Sequence, residues 1–362
     1  MDVVDGRPQP PPGRPQRRGD SLLRPVLPRG VRWGVLAGAV LAAASLVLLS
    51  GGGVNAFAIV VVSALLYTVT VTGLSLAVEG RRQATDRFVT AIVATAFALA
   101  MVPLVSVVIE VLTKGLGRFD VEFFASSMRG IVGAGGGAYH AIMGTLIITV
   151  ITAVVSVPIG ILAAIYLVEY GNRNRLSRVL VFFVDVMTGI PSIVAGLFAY
   201  ALFVLWMGPG ARAGVIGATA LAVLMIPVVV RSTEEMLRLV PNELREASYA
   251  LGVPKWLTIT KVVLPTSIAG IATGVTLAIA RVIGETAPLL VTVGITTGTN
   301  ANALGGRMAS LPVFSYYSYA TPGVPPQPYF DRAWTAALVL ILIVMGLNLI
   351  ARIVSRVFAP RY

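Results

Sequence analysis

Residues 231–265 read RSTEEMLRLVPNELREASYALGVPKWLTITKVVLP, a polar interruption with helix-length apolar segments on both sides. Five Lys/Arg and four Glu fall in this stretch, too many charges for lipid to hold. Pro241-Asn242 predicts the start of a short helix, with Asn242 as its cap and Pro241 barring earlier continuation. Glu243 and Glu246 then fall in the first turns, where carboxylates suit the positive end of the helix dipole. Gly252 and Pro254 stop the helix. A second amphipathic turn from Lys255 to Val263 leads through Leu264-Pro265 into the next apolar segment. The expected form is a helix–turn–helix held between two membrane spans.

Composition sets the class. The chain has 362 residues, 56% hydrophobic and 12% charged, against about 25% charged in soluble domains. That is an all-α polytopic membrane protein. With no Cys and a single His, His140, disulfides, thiolate sites, multi-His metal sites and Cys nucleophiles are excluded, so no metal and no catalytic residue is expected. No GxxxxGK[ST] phosphate loop occurs, so the chain is not expected to bind ATP or another cofactor itself. The net charge of +12 is not a nucleic-acid patch, because the basic residues sort by side of the membrane.

Residues 1–31 are Pro/Arg-rich and read as a disordered cytosolic tail. Eight spans follow, at 31–50, 54–78, 88–110, 139–168, 178–206, 214–230, 267–295 and 334–357, with Gly51-Gly52-Gly53 as an outer turn and 171–175 as a basic turn. Gly189 and Pro191 fall inside the fifth span. The tails and loops on one side hold 21 Lys/Arg and those on the other hold 6, of 28 in all. This asymmetry predicts cytosolic termini and a cytosolic 231–265 loop, with 111–138 and 296–333 outside. Gly135-Gly136-Gly137 reads as a flexible hinge, with a backbone N–H cradle for an anion as the alternative, and His140 as a boundary residue at the outer interface.

The seventh span carries Arg281 and Glu285, four apart and so on one face of a helix. A charge at the bilayer centre costs about 3 kcal/mol; such residues face a bundle interior or a water-filled path. Pro288 removes the hydrogen bond to the Gly284 carbonyl and predicts a kink beside the pair. An anion path and a buried structural ion pair both fit. Arg231 and Glu234, i and i+3 at the end of the sixth span, form a second candidate pair on the path, and Asp185 is placed about 10 Å into the fifth span, hydrogen-bonded within the bundle.

Two of these stretches carry a resemblance. Glu246-Ala247-Ser248, three residues, Gly252, nine residues, Val262, one residue and Leu264-Pro265 resembles the EAA loop of ABC-importer permeases, with Ser248 for Ala and Val262 for Ile as departures. Ala280-Arg281, two residues, then Gly284-Glu285-Thr286-Ala287-Pro288-Leu289-Leu290 resembles the AR-x-x-GETAPLL signature of the A-type permease of phosphate-specific (Pst) transporters. Gly144-Thr145-Leu146, Asp185 through Gly189-Ile190-Pro191-Ser192-Ile193, and Arg231 through Glu235 are similar to that family too.

The resemblance implies a six-span, type I (MetI-like) core over 87–362, with its transmembrane type-1 domain at about 138–357, preceded by two accessory helices in 32–86 that have no counterpart. It implies a non-catalytic subunit of a bacterial inner-membrane phosphate importer. The partners would be a second, related permease, two ATP-hydrolysing subunits docked on Glu246, Ala247, Gly252, Leu264 and Pro265, and a phosphate-binding protein. Asp185, Pro191, Gly284 and Pro288 would serve structure or gating. Another oxyanion, such as molybdate or phosphonate, is the nearest alternative cargo. An ATPase-independent transporter or channel is opposed by the coupling loop.

Overall fold

The computed structural model describes residues 27–50, 56–171 and 174–358. The tail before residue 27, the turn at Gly51 to Gly53, two residues of the basic turn and the last four residues lie outside the described residues, together with the expectations placed on them. The chain divides into two compact units, residues 1–109 and 110–362. The division falls inside one long helix.

The first unit contains α1 (Arg29–Leu49), α2 (Ala56–Val78) and most of α3 (Arg81–Gly115). Helix α1 packs on α2, and Ala39, Ala43 and Val47 of α1 are buried. The hairpin is antiparallel and is tied at its open end by one carboxylate. Glu79, 1% exposed, follows α2. It accepts hydrogen bonds from the Leu27 amide at 2.7 Å, from Ser75 Oγ at 2.5 Å and from Arg87 Nη2 at 3.2 Å. The Ser75 hydroxyl foremost, with the Leu27 amide and Arg87, outweighs burial and holds the Glu79 carboxyl at about 2.

The second unit is helical throughout its described residues. A short helix, α4 (Val121–Ala125), is capped by Asp120, whose Oδ1 accepts from the Phe123 amide at 2.8 Å. Helix α5 (Tyr139–Ile165) runs on as a π-turn over Tyr166–Tyr170. Then come α6 (Arg175–Gly189), α7 (Ser192–Met207), α8 (Gly214–Arg238) and α9 (Asn242–Ala250). Helix α10 (Lys255–Thr258) passes through a π-turn, Ile259–Val263, into α11 (Leu264–Ile283). The extra residue of the π-turn re-routes the backbone bonds just where Pro265 has no amide hydrogen to give. Three helices close the chain: α12 (Ala287–Thr292), α13 (Leu311–Ala320) and α14 (Gln327–Phe358).

Helix α8 is the axis of this unit. Of its apolar stretch 61% is buried, against 28% for α5. Helix α5 packs along it, with Thr152 Oγ1 reaching the Ala218 carbonyl at 3.3 Å. Gly270 and Gly274 bring α11 against Met236 and Ser232 of α8.

Seven described helices are long and apolar enough to cross a membrane, or eight spans if α6 and α7 count as one. The expected fifth span is therefore not a straight helix: α6 and α7 meet at 111° around Ile190-Pro191. Pro191 starts α7 and has no amide hydrogen to continue α6. The seventh span is broken rather than kinked. Helix α11 ends at Ile283, Gly284 caps it, and α12 begins beyond Glu285-Thr286 with Pro288 in its first turn. Arg281 and Glu285 thus do not share a helical face. Asn242 is the first residue of α9, not its cap; Pro241 holds the capping position without a side-chain bond.

The sign of the Glu79 shift makes a prediction. A carboxyl held at about 2 when folded, against its ordinary 4.5, adds stability above pH 4.5 that is lost as pH falls toward 2. The Leu27 amide is expected to exchange faster across that window. In Glu79→Gln it should exchange fast at every pH, and its exchange, corrected for intrinsic rate, should be flat between pH 5 and 2.

Candidate functional site

The 231–265 segment is built as a short rigid helix pinned at both ends. Gly252 has φ +75°, the left-handed conformation that side-chain-bearing residues avoid. The Gly252 amide donates to the Tyr249 carbonyl at 2.9 Å and the Val253 amide to the Ser248 carbonyl at 3.2 Å. This paired pattern ends α9. Ser248, the departure from Ala in the motif, shares a buried 2.8 Å hydrogen bond with Thr258 and so ties α9 to α10. Glu246, Leu251 and Trp256 are exposed.

Arg245 fixes this hairpin to the bundle. Its Nη2 donates to Glu169 Oε1 at 2.8 Å and to the Leu237 carbonyl at 2.9 Å, its Nε to Glu169 Oε1 at 3.1 Å, and its Nη1 to the Val240 carbonyl at 2.7 Å. Glu169, 6% exposed, lies in the π-turn ending α5, and Lys255 donates to the Glu169 carbonyl while its ammonium sits 4.8 Å over the Tyr170 ring. One guanidinium therefore joins α9 to the ends of α5 and α8. Glu169-Tyr170-Gly171, ending the expected fourth span, reads from sequence as a border of the groove for an ATPase partner; the structure turns the Glu169 carboxylate inward onto Arg245. Arg245 was not singled out from sequence, and its signal was available: an Arg in the hydrophobic-facing register of a short amphipathic helix.

At the same end of α8, Arg231 bridges two carboxylates. It pairs with Asp185 of α6 and, at 3.0 Å, with Glu234, whose other oxygen takes Arg238 at 2.5 Å. The expected i, i+3 pair is thus part of a four-residue network that holds α6 to α8. Asp185 is exposed and ion-paired across helices. Arg281 and Glu285 form no ion pair or side-chain hydrogen bond among the described residues; Arg281 is exposed and Glu285 half-buried beside the break.

The far end of the unit is a second polar centre. The glycine run is packed, not a free hinge. Arg118 Nη2 donates to the Gly136 carbonyl at 2.7 Å, the Gly136 amide to Glu122 Oε1 at 2.9 Å, and Arg332 Nη1 to the Gly133 and Gly135 carbonyls at 2.7 and 2.8 Å. His140 is not at an interface: it is 2% exposed and meets Phe314 edge-on at 5.4 Å. Thr145 Oγ1 accepts from the Leu311 amide at 2.7 Å, which seats the start of α13 on α5.

Three comparisons bear on this geometry. The family model described as "Binding-protein-dependent transport system inner membrane component" matches residues 156–362. The chain is 46% identical over 284 residues to a phosphate transport system permease protein PstA 1 of Mycobacterium tuberculosis, covering 78% of this chain and 92% of the relative. It is 42% identical over 247 residues to a phosphate transport system permease protein PstA of Pasteurella multocida, covering 68% and 86%. Among solved structures, an inward-facing MetNI methionine ABC transporter is 20% identical with TM-score 0.48, covering 62% of this chain and 95% of that one.

Loss of Arg245 would leave Glu169 buried with no cationic side-chain partner, a change that costs about 3–5 kcal/mol for a buried pair. Arg245→Ala is expected to raise amide exchange across 242–258 strongly, with Glu169→Gln doing so less. A double variant no worse than Arg245→Ala alone confirms that the two act as a pair; additive effects would separate them.

Proposed function

The chain belongs to the binding-protein-dependent transport system inner membrane components, and within them to the phosphate transport system permeases; from that premise we propose that it forms one half of the membrane path of an ATP-driven inorganic phosphate importer. The observation that carries the substrate is the 284-residue match at 46% identity, which takes in 92% of a phosphate permease. The chain performs no covalent chemistry on this reading and binds no cofactor; ATP is used by a separate subunit.

The partners follow from what the surface offers. The α9–α10 hairpin suits a groove on an ATP-hydrolysing subunit. It is short, stopped by Gly252 and braced by Arg245, so a push on α9 reaches α5 and α8 without being absorbed in a loose loop. Glu246, Ala247, Gly252, Leu264 and Pro265 carry this docking function, two ATP-binding subunits serving two permeases. The second permease is a related chain, and a phosphate-binding protein delivers from outside. The 21-to-6 distribution of Lys/Arg supports cytosolic termini and a cytosolic hairpin in a bacterial inner membrane.

Arg281 and Glu285 are assigned to the phosphate path. Their lack of ion-pair partners among the described residues and the exposure of Arg281 support this: a cation so placed in a span is available to a passing oxyanion. A carboxylate nearby tolerates an anion that still bears a proton, as phosphate does at neutral pH, and repels one that does not. Arg231 and Glu234, already engaged with Asp185 and Arg238, serve the path at its inner end or hold α6 in place; Pro191, Gly284 and Pro288 shape the breaks.

The purified assembly in vesicles, with its binding protein, is expected to hydrolyse ATP faster with phosphate than with molybdate, sulfate or a phosphonate. Stimulation by another oxyanion in place of phosphate would overturn the substrate. Arg281→Gln should abolish uptake at matched membrane level and Arg281→Lys should recover little, because a point charge loses the planar fork. Near-normal uptake in Arg281→Gln would move the path elsewhere. Gly252→Val should lower transport while leaving the chain in the membrane, as the left-handed position costs a branched residue about 1–2 kcal/mol.

A further inference from the structure

Arg332, near the start of α14, is 1% exposed. Its Nη1 is fully used on the Gly133 and Gly135 carbonyls, and its guanidinium lies 4.5 Å over the Tyr329 ring. Its Nε and Nη2 are buried and have no hydrogen-bond partner among the described residues. Those two atoms form one edge of the guanidinium, with two parallel N–H groups at the spacing that two oxygens of a carboxylate or phosphate accept. A buried charge left with an empty fork is costly, so the fork calls for a partner.

Beside it is a cavity of about 260 Å³ whose wall includes Arg332, His140, Tyr329, Thr296, Thr297 and Ser318. His140 Nδ1 is likewise buried without a partner. No carboxylate lines the cavity. The nearby acids are engaged: Glu122 with Arg118 and the Gly136 amide, Asp331 with Gln327. Its volume is roughly eight times the ~30 Å³ share of one liquid water molecule, which suits a small hydrated anion. The cavity lies at the end of α5 opposite the Arg245 clamp. His140 and Glu169 are about 44 Å apart along that helical run at ~1.5 Å per residue.

We propose that this cavity is a tetrahedral-oxyanion site, with the Arg332 fork taking two oxygens and His140 approaching a third, where phosphate rests at the outer end of the permease before reaching the broken seventh span. The site rests on the reading of the chain as a phosphate permease and adds a place of binding that the Arg281 path does not contain. The packed glycine loop gives it rigidity: its two carbonyls orient the guanidinium, so the open edge is held in one direction. The same chemistry would suit the headgroup phosphate of an anionic lipid, so the source has to be separated by experiment.

The chain lacks Cys, and Thr321, exposed on the cavity wall, gives a reporter. In the assembled transporter in phosphatidylcholine vesicles, without binding protein or ATP, Thr321→Cys is expected to react with a thiol reagent more slowly when inorganic phosphate is added. Arg332→Lys, which keeps a donor for the glycine carbonyls but loses the fork, should remove at least tenfold of the phosphate sensitivity. His140→Leu, which leaves the Arg332 loop contacts alone, should weaken it at unchanged membrane level. Protection that survives both variants, or no protection in the parent, overturns the site, as water alone would then fill the fork. Protection by vesicles containing phosphatidylglycerol but not by phosphate overturns the phosphate assignment in favour of a lipid headgroup. Phosphate-stimulated ATP turnover of the same parent assembly, measured with binding protein, tests the transport reading by itself: turnover without protection sinks only this site.

Discussion

A charge carried into hydrocarbon has to bring its partner with it, and the two ends of the permease core are arranged by that constraint. At one end Glu169 is closed by Arg245, and Glu234 by Arg231 and Arg238. At the other, Arg118 donates to the Gly136 carbonyl, and Arg332 is held through one nitrogen by the Gly133 and Gly135 carbonyls. Each of these groups joins elements distant in sequence, so satisfying the charge also fixes the chain. Helix α8 lies between the two ends as the most buried of the long helices. Its C-terminal end carries Arg231, Glu234 and Arg238, and α9 hangs from the Leu237 carbonyl through Arg245. The α9–α10 hairpin is held to the bundle by the half-buried Arg245 rather than by the stability of its own nine-residue helix.

The two proline interruptions meet in space. Helix α7, which starts at the Ile190-Pro191 break, packs against α12, which starts after the Gly284–Thr286 break, and Gly196 lies beside Pro288. A span broken in lipid exposes backbone groups that neighbouring protein has to cover. Placing the two breaks together lets each short helix shield the other. The same arrangement leaves Arg281 and Glu285 on either side of a non-helical step, free of the i, i+4 pairing that a continuous helix would impose. An Arg paired within its own turn would have little left for a passing anion; the break keeps its donors open.

Much of this was legible in the sequence, and the parts that were not share a cause. The apolar runs located the long helices, and the spacing from Glu246 to Pro265 located the hairpin and its stop at Gly252. Charge asymmetry and motif pointed to the same loop. The breaks at Pro191 and Pro288 are visible as residues but read as the interior of one span and a kink in another, because proline gives the position of an interruption and not its angle. Arg245 and Arg332 escaped notice as site residues, and Glu169 reads from sequence only as a border residue, because their partners are carbonyls or lie far along the chain, and no local pattern encodes a contact between residues 169 and 245. The glycine run read as flexible for the same reason: composition gives freedom to each glycine, and only the packed loop shows that Arg118, Glu122 and Arg332 remove it.

Helix α5 joins the two polar ends directly. Its π-turn places Glu169 against Arg245 at the hairpin, and its first turn places His140 in the wall of the outer cavity. Between these points it packs along α8, with Thr152 Oγ1 donating to the Ala218 carbonyl. On the proposed reading, a displacement of α9 would enter α5 through the Arg245–Glu169 pair. The opposing wall of the cavity is carried by α13 and α14, and the start of α13 is seated on α5 through the Leu311 amide and Thr145. An axial shift of α5 therefore acts on the cavity from two sides, through His140 itself and through the helix that Thr145 holds, while Arg332 stays anchored to the glycine carbonyls. On the proposed reading this is the physical connection by which ATP turnover at one end changes the grip on an oxyanion at the other: one wall is fixed by Arg332 and the other moves with α5.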